Sequence, residues 1–425
     1  MGVLMVGTGE YTTGYMPNVR ADSKSDKKMG VVGLVLFDMR RRGHVVGRLA
    51  MVGTSGTKNA AIRAHMKEQL ADRYCGMDTT VDIYPPDGSP RNPEAYKDAI
   101  KSMNPGDTAI IFTPDDTHFT IAMAAIEHGM HVLLAKPAVK TRDEHRRLVE
   151  AAARAGVLVA IEFHKRFDPI YADARHRIRE ALGPMAWFNS YMSQPQYQLH
   201  AFRDWAGTQS DISYYLNSHH IDFHCWAMQG RARPLSVVAM AGAGIAETPE
   251  IGCAPGTEDT ISLLVQWETL TAPRHRAIAN YTASWVAAAG EVHSQQRFHY
   301  MGAGGEVHVD QAHRGFTMTD AALGFRHVNP LYLRTTPNEH GEYVGQHTYG
   351  HMSIEKFVEA AHSVNASHDG PHGSMRAEHV AARCAAIQRY DGTLATVAAT
   401  EVVTAILEAG RRSLDNGSCV VMLDQ

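Results

Sequence analysis

Short apolar runs alternate with helix-like segments through the first 160 residues of the chain. The runs that predict strands are residues 3–7, 45–53, 109–114, 131–135 and 157–163. The segments between the last three runs have helical periodicity, and each ends in a glycine that suits a helix C-cap. This alternation is typical of a parallel sheet with helices on both faces, so we predict an α/β domain over residues 1–160.

The pattern changes after that point and predicts a second domain over residues 161–425. Residues 185–193 and 260–268 alternate apolar and polar positions, which is typical of antiparallel strands with one face in water. Near the end, residues 392–414 predict a long helix that can pack back on the first domain. A turn and a short strand follow within residues 416–424.

Two segments fit neither pattern. Residues 18–30 are polar and charged, and predict a loop insertion before a helix over residues 31–43. Residues 290–345 are rich in glycine, histidine and charged side chains, so their pattern predicts no particular elements.

The composition is that of a globular protein and excludes some functions. Lysine plus arginine number 41 against 45 aspartate plus glutamate, so the basic excess needed to bind nucleic-acid phosphates is absent. Five cysteines without a C-x-x-C pair predict free thiols in a reducing compartment, and we expect a cytoplasmic protein. A strand begins at residue 3 and no apolar run approaches the ~20 residues that span a bilayer, so we expect neither a signal peptide nor a membrane helix.

The first candidate site is the glycine-rich turn VGTGEYTTG, which follows the first strand. A dinucleotide site needs glycines there, because the chain must turn sharply and bring backbone N–H groups close to a pyrophosphate. Gly7 and Gly9 fit that pattern, whereas Thr12 occupies its third position and Gly14 comes two residues late. Tight packing alone also produces such turns. The cofactor contacts we expect here are Gly7, Thr8, Gly9, Glu10, Tyr11 and Thr12.

The second strand leads into GTSGTK, residues 53–58, where a carboxylate would usually bind the ribose hydroxyls of NAD. An acid would repel a 2′-phosphate, whereas hydroxyl groups and Lys58 would attract one. We therefore expect an NAD(P) cofactor, with NADP(H) slightly favoured over NAD, contacted by Thr54, Ser55 and Lys58. The alternative is an exposed turn with a solvated lysine.

A Thr-Pro pair, Thr113 and Pro114, ends another predicted strand at the carboxyl edge of the sheet, where ligands of open α/β sheets bind. The next three residues, Asp115 to Thr117, predict side-chain caps for the following helix. Capping alone accounts for part of this pattern. The expected cofactor contacts in this loop are Thr113, Pro114, Asp115 and His118.

A single lysine closes the apolar run VLLAKP at the same edge of the sheet. Pro137 keeps Lys136 out of helical geometry, so the lysine side chain is held near the crevice. An ammonium group there can polarise a substrate hydroxyl or carbonyl beside a nicotinamide, and both residues are expected cofactor contacts. The alternative is a solvated surface lysine.

The segment SDISYYLNSHHIDFHCWAM, residues 210–228, carries a histidine and a carboxylate one helical turn apart. A helix from Tyr214 onward places His219 and Asp222 on one face, where the imidazole can accept a hydroxyl proton as hydride leaves. The alternatives are a hydrogen-bonded core histidine or a metal site. The metal site would use His219, His220, His224 and Cys225. Their side chains point in too many directions for tetrahedral coordination, so we expect no metal.

Several segments together resemble the Gfo/Idh/MocA family, which includes glucose-fructose oxidoreductase and inositol dehydrogenase, and the resemblance runs from residue 3 to about residue 417. The stretch FTPDDTHFTIAMAAIEHGMHVLLAKP is similar to the family's Thr-Pro strand end, helix and Glu-Lys-Pro, with Ala135 in place of the glutamate. KRFDPIYADAR resembles its Arg-Phe-Asp-Pro segment. The family's D-x-x-x-H-x-x-D helix is matched by Tyr215, His219 and Asp222, with a tyrosine in place of the first aspartate.

The resemblance implies a Rossmann domain followed by an α+β domain whose large open, mostly antiparallel sheet pairs subunits into a dimer or tetramer. It implies hydride transfer between nicotinamide and a carbinol or carbonyl carbon of a sugar, cyclitol or related polyol. Lys136 and His219 are then catalytic, with the substrate between Lys136 and the helix over residues 214–226. The implied substrate contacts are Asp222, Tyr215, His220, Arg166 and Asn217. The alternatives are a nucleotide-dependent hydrolase or lyase that uses transient oxidation, and a non-catalytic dinucleotide sensor.

Overall fold

The computed structural model describes residues 1–17, 27–44, 46–74, 76–271, 273–290, 292, 294–321, 324–333, 339, 348–367 and 377–424. The chain divides into two compact units. The first comprises Met1–Ala138, Arg146–Phe167 and Leu331–Ala399, and the second comprises Val139–His145, Asp168–Pro330 and Thr400–Gln425. Residues 331–399, which the sequence pattern placed in the second domain, therefore belong to the first unit.

A six-stranded parallel sheet forms the centre of the first unit, and it confirms the predicted α/β pattern. The strands are β1 (Val3–Val6), β2 (Leu49–Val52), β3 (Asp82–Tyr84), β4 (Thr108–Ile111), β5 (His131–Leu134) and β6 (Val159–Ile161). Their order, β3-β2-β1-β4-β5-β6, is that of the Rossmann fold, with its ligand crevice at the carboxyl ends of β1 and β4. The apolar pattern missed β3 because this strand is short and only partly buried. Val45, predicted to begin β2, lies outside the described residues.

The second unit contains a seven-stranded sheet and a separate hairpin. Its strands are β7 (Met185–Pro195), β8 (Ala232–Ala243), β9 (Glu258–Thr269), β10 (Arg276–Ala287), β11 (Gln295–Gly302), β12 (Gly305–Asp310), β13 (Thr317–Asp320), β14 (Gly324–His327) and β15 (Val421–Met422). The large sheet has the order β12-β11-β7-β10-β9-β8-β15, in which only the pair β7 and β10 is parallel. This confirms the predicted mostly antiparallel sheet. Strands β11 to β14 fall within residues 290–345, of which 291, 293, 322–323, 334–338 and 340–345 lie outside the described residues.

Twelve α-helices accompany these strands in the described part of the chain. They are α1 (Glu10–Thr13), α2 (Val32–Arg41), α3 (Asn59–Met66), α4 (Ala95–Lys101), α5 (His118–Glu127), α6 (Arg142–Ala155), α7 (Pro169–Glu180), α8 (Leu199–Phe202), α9 (Ser218–Met228), α10 (Tyr349–Ala366), α11 (Ala377–Gln388) and α12 (Val397–Asp415). The helices predicted over residues 31–43 and 392–414 correspond to α2 and α12. Residues 18–26 of the predicted insertion lie outside the described residues. None of the described helices has the length and apolarity to cross a membrane.

Alternation along the strands of the second unit separates a buried face from an outer face. Trp267 and Tyr281 lie on the buried face and are almost completely inaccessible. The outer face carries partly exposed apolar side chains. They are Met240, Leu264, Ile278 and Met301. Water therefore contacts several large apolar side chains on this face of the sheet.

Candidate active site

The glycine-rich turn combines tight packing with one open position. Gly7 has a φ of +105°, and a Cβ there would lie 2.0 Å from the carbonyl oxygen of Phe112. Gly14 has a φ of +75°, and its Cβ would lie 2.1 Å from the carbonyl oxygen of Lys28. Among the described residues, nothing lies within 4 Å of the position that a Cβ on Gly9 would take. Two of the glycines are therefore needed for packing, and Gly9 leaves room for a ligand at the backbone.

The turn lies against the end of the neighbouring strand β2. A Cβ on Gly53 would lie 2.8 Å from the Oγ1 atom of Thr8, so these two predicted ligand segments are in contact. Tyr11 stacks on Phe112 with ring centroids 4.5 Å apart. Thr12, in contrast, is 2% exposed and faces the protein. The predicted contacts in the turn that are half-buried are Gly7, Thr8, Glu10 and Tyr11.

The loop after β2 presents hydroxyl groups and one ammonium group. Thr54 and Lys58 are exposed, and Ser55 is half-buried. The Oγ atom of Ser55 accepts a hydrogen bond from the backbone N–H of Thr57 at 3.3 Å, which begins a 3₁₀ turn over Gly56–Lys58. The turn fixes the loop while the side chain of Lys58 reaches solvent, where a negatively charged group can approach it.

The loop after β4 has a different local structure from the one that its sequence predicts. Asp115–Thr117 form a 3₁₀ turn. The N-cap residues of this turn and of α5, Pro114 and Thr117, make no side-chain cap hydrogen bond. The Oγ1 atom of Thr117 instead donates to the carbonyl oxygen of Pro114 at 2.7 Å. The prediction of side-chain capping is therefore wrong, because the hydroxyl group bonds backwards to its own loop.

His118 joins the loops that follow β4 and β5. Its ring is fully buried, with Nδ1 2.9 Å from the carbonyl oxygen of Pro137 and Nε2 2.9 Å from the carbonyl oxygen of Thr113. Both nitrogens are thus engaged with the backbone of segments that the sequence assigned to the cofactor. In this arrangement the ring holds the loops and does not face solvent.

Lys136 lies directly beyond β5 and is half-buried. Burial removes water from its ammonium group and lowers the pKa of Lys136 from 10.5 to about 8. The charges of Asp115 and Glu162 raise this pKa and oppose the effect of burial, whereas the charge of Lys27 lowers it further. At pH 7 about nine-tenths of these amines are still protonated, so Lys136 can donate a hydrogen bond from a poorly solvated position.

Glu162 was missed by the sequence reasoning, and it lies directly beyond β6. Its side chain is almost fully buried, and its backbone N–H donates to the carbonyl oxygen of Leu134 at 2.7 Å. The carboxylate accepts a hydrogen bond from the Oγ of Ser353 at 2.7 Å and lies 3.3 Å from Nδ1 of His164. A buried carboxylate at the ligand edge of a sheet needs such partners. The available signal was a glutamate inside the apolar run VLVAIEF.

Arg166 and the nearby Asp168 bind structural partners. Arg166 is buried in the first unit and donates to the carbonyl oxygen of Leu394 at 2.8 Å. Asp168 belongs to the second unit, where it accepts a hydrogen bond from Ile170 N–H at 3.0 Å and forms a buried ion pair with Arg314. Both charges therefore stabilise backbone or neighbouring segments.

In the second unit, a π turn over Ser213–Asn217 leads into α9, which carries the predicted base. His219 is 7% exposed and Asp222 is 1% exposed. Asp211, also missed, accepts hydrogen bonds from the backbone N–H groups of Ser213 and Tyr214 at 2.8 and 2.9 Å. Burial raises the pKa of Asp211 to about 6. The signal was an aspartate placed to cap the predicted helix.

The other two histidines of α9 have tyrosine partners. Nε2 of His220 lies 2.9 Å from the hydroxyl of Tyr171, and Nδ1 of His224 lies 2.6 Å from the hydroxyl of Tyr281. Burial lowers the pKa of His224 to about 3. In the described part of the chain no common ligand group forms from the side chains considered for a metal, which are His219, His220, His224 and Cys225. His220, a predicted substrate contact, is fully buried.

The remaining predicted substrate contacts lie at the start of the same helical segment. Tyr215 is half-buried, and its ring packs at steep angles against Phe202 and Trp205, with centroids 5.5 and 5.4 Å apart. Asn217 is almost fully buried, and its amide donates to the Oγ of Ser213 at 3.1 Å. Tyr215 thus has the greater access to a ligand.

Within the first unit, the fold brings the glycine turn, the loop after β2 and the strand end with Lys136 to one edge of the sheet. Residues 1–163 match the family GFO_IDH_MocA, described as an oxidoreductase family with an NAD-binding Rossmann fold. That match covers the sheet and all the predicted cofactor contacts.

Similar proteins include two from Bacillus subtilis (strain 168). The scyllo-inositol 2-dehydrogenase (NAD(+)) is 38% identical over 76 residues, which are 18% of this chain and 22% of that protein. The scyllo-inositol 2-dehydrogenase (NADP(+)) IolW is 32% identical over 118 residues, which are 27% of this chain and 32% of that protein. The chain thus matches a third or less of the length of these relatives.

A solved structure extends the likeness over the whole fold. The scyllo-inositol dehydrogenase of Lactobacillus casei with bound NAD(H) and scyllo-inositol has a TM-score of 0.61, covering 99% of this chain and 98% of that one. The sequences are 14% identical, so this comparison establishes the fold alone.

Proposed function

We propose, because residues 1–163 match the Gfo/Idh/MocA oxidoreductase family, that this chain is an NAD(P)-dependent dehydrogenase or reductase acting on CH–OH groups. The reaction is hydride transfer between nicotinamide and a carbinol or carbonyl carbon of a cyclitol, sugar or related polyol. The observation that carries the proposal is Lys136, a half-buried amine at the carboxyl edge of a Rossmann sheet.

The glycine turn and the two loops beside it would hold the cofactor. The open space at Gly9 admits the pyrophosphate close to the backbone, and Gly7 supplies the positive φ that the turn requires. Thr54, Ser55 and Lys58 form a polar, cation-bearing loop that suits a 2′-phosphate, so we favour NADP(H) slightly over NAD. Pro114 and the half-buried residues Thr113 and Asp115 are placed to contact the nicotinamide end.

The chemistry needs one hydrogen-bond donor and one proton acceptor. Bound NAD(P)⁺ supplies the hydride acceptor. Lys136 donates a hydrogen bond to the substrate oxygen and steadies the negative charge that develops as its proton leaves. His219 takes that proton and Asp222 orients the imidazole, roles that rest on the family resemblance. Groups of this kind typically contribute on the order of 10²-fold each.

Substrate class, assembly and compartment are inferred from the named relatives, the large sheet and the cysteines. Both Bacillus subtilis relatives are named for scyllo-inositol, which favours a cyclitol or a related polyol. The apolar outer face of the large sheet supports pairing with a second copy. Among the described residues, Cys225, Cys253, Cys384 and Cys419 are thiols rather than disulfides, which suits the reducing cytoplasm.

The proposal is tested by nicotinamide absorbance in assays that pair NAD or NADP with inositols and sugars. We expect stoichiometric release of reduced cofactor with at least one polyol, and a loss of about 10²-fold or more in turnover for K136M, with nucleotide binding retained. K101M, which replaces an exposed lysine on α4, should behave as the wild type. Normal turnover in K136M would remove Lys136 from the mechanism. Turnover without released NAD(P)H would indicate transient oxidation instead.

A further inference from the structure

Three potential metal ligands lie together on the hairpin of β11 and β12. His299 on β11 and His308 on β12 are direct partners in the antiparallel register. Glu306 lies two residues before His308 on the same strand, so its side chain points to the same face of the sheet. Two imidazoles and one carboxylate are the donor set that binds Zn²⁺ and related transition metals, whereas Mg²⁺ and Ca²⁺ prefer oxygen ligands.

The distances between the ligand atoms suit one tetrahedral ion. In a zinc site with bonds of 2.0–2.2 Å, ligand atoms lie about 3.4 Å from one another. Oε2 of Glu306 lies 2.7 Å from Nε2 of His299 and 3.7 Å from Nε2 of His308. The two imidazole rings stack with centroids 3.6 Å apart. All three ligand atoms lie within 4.8 Å of one another. Side-chain rotations that separate the stacked rings would direct both Nε2 lone pairs and the carboxylate toward one ion.

The backbone beneath the cluster is fixed. The hairpin turn donates hydrogen bonds from Ala303 N–H to Pro184 and from Gly304 N–H to Leu182, at 2.9 and 3.0 Å. The edge of the Trp187 ring contacts His299, with centroids 4.9 Å apart. The side chain of His299 is 22% exposed, that of Glu306 is 56% exposed and that of His308 is 65% exposed. In a single copy of the chain, solvent can thus supply the fourth ligand without a change in fold.

A second group of ligand type, His44 with Glu355 and Glu359, lies in the first unit. There the guanidinium of Arg42 donates to both oxygens of Glu355, at 3.2 and 2.9 Å. That carboxylate already has a cation, and a metal ion beside it would be repelled. The guanidinium therefore disfavours a metal ion at this group, and His44 provides a control.

We propose that His299, Glu306 and His308 bind one divalent transition-metal ion, with Zn²⁺ favoured and water as the fourth ligand. The ion links β12, the edge strand of the large sheet, to β11. The ion binds only the folded hairpin. It therefore raises the free energy of unfolding of the second unit, and this increase grows with the logarithm of the ratio of ion concentration to Kd.

Titration calorimetry of the full chain with Zn²⁺ alone tests the site. The wild type should bind one ion at this site, and H308A and E306Q should weaken binding roughly tenfold or more. Both altered side chains are largely exposed, and circular dichroism establishes that the variants fold. H313A and H44A are the matched controls and should bind as the wild type. Nδ1 of His313 lies 2.9 Å from Oδ2 of Asp310 on the same segment.

A second measurement locates the ion. Binding of Cu²⁺ at the same ligands should quench the fluorescence of Trp187, and W187F should lose most of this quenching while it still binds Zn²⁺. The proposal is overturned if the wild type binds no ion, or if H308A and E306Q bind as tightly as the wild type. Loss of binding in H44A alone would assign the ion to the first unit and also overturn it.

Discussion

Replacing Glu162 with glutamine tests how the first unit sets the charge of Lys136. The carboxylate is almost fully buried, and its negative charge raises the pKa of Lys136 against the effect of burial. The amide of E162Q keeps an oxygen that can accept the hydrogen bond from Ser353. The substitution therefore removes the charge with little change in shape, and the pKa of Lys136 should fall.

The size of the fall follows from the neighbours of Lys136. One opposite charge typically moves a pKa by about 1–3 units. Asp115, the larger of the two favourable charges, remains in the variant, so we expect the low end of that range. The pKa of Lys136 should move from about 8 to about 7, and the protonated fraction at pH 7 should fall from about nine-tenths to about one half.

Competitive acylation of Lys136 across a pH series, quantified by peptide mass spectrometry, measures this pKa directly. The reagent reacts only with the neutral amine, and the assay requires no turnover. K27M removes a like charge and should shift the midpoint upward, whereas S353A keeps the carboxylate and should shift it little. A midpoint in E162Q that is unchanged or higher would refute the reasoning.

Three further outcomes are expected. Below pH 8 the poorly solvated ammonium of Lys136 costs stability, and this cost disappears as the pH rises from about 8 to 10.5 because the folded-state pKa is the lower one. The full shift corresponds to about 3 kcal/mol, and solvent screening of a half-buried group reduces it to the order of 1 kcal/mol. K136M should therefore resist urea better than the wild type at pH 7 but not at pH 10.5, and an equal advantage at both would contradict this account. K58E should raise the Kd for NADP about tenfold or more while changing the Kd for NAD little, as measured by fluorescence titration. An equal increase in Kd for both cofactors would show that Lys58 does not bind the 2′-phosphate. L264E, on the outer face of the large sheet, should shift the mass measured by light scattering toward the single chain, and an unchanged mass with an unchanged melting temperature would place the subunit contact elsewhere.

The sequence predicted the strands of the first unit well because a parallel strand buried on both faces is apolar throughout. It missed β3, whose side chains are only partly buried, and it assigned residues 331–399 to the second domain. Apolar periodicity indicates which side of a segment is buried but not which distant segment covers it. That choice depends on contacts between residues far apart in the chain.

The candidate site shows the same division between local and long-range information. Lys136 could be placed from the strand and proline beside it. Glu162 stands out as a glutamate in an apolar run, but its partner Ser353, 191 residues away in the sequence, could not be predicted. Every residue of α9 is buried, so no polar face distinguished His219 from His220 or His224.

The imidazole of His118 contacts both the loop after β4 and the loop after β5, so the positions of the two loops are coupled. A displacement of Thr113 on one side pulls on Pro137 on the other, and Lys136 is covalently attached to Pro137. A substitution that moves the loop after β4 therefore also moves the amine of Lys136, even when the charges around that amine are unchanged. Evolution or engineering of cofactor preference along this loop has to be compatible with the position of Lys136, and H118A would uncouple the two.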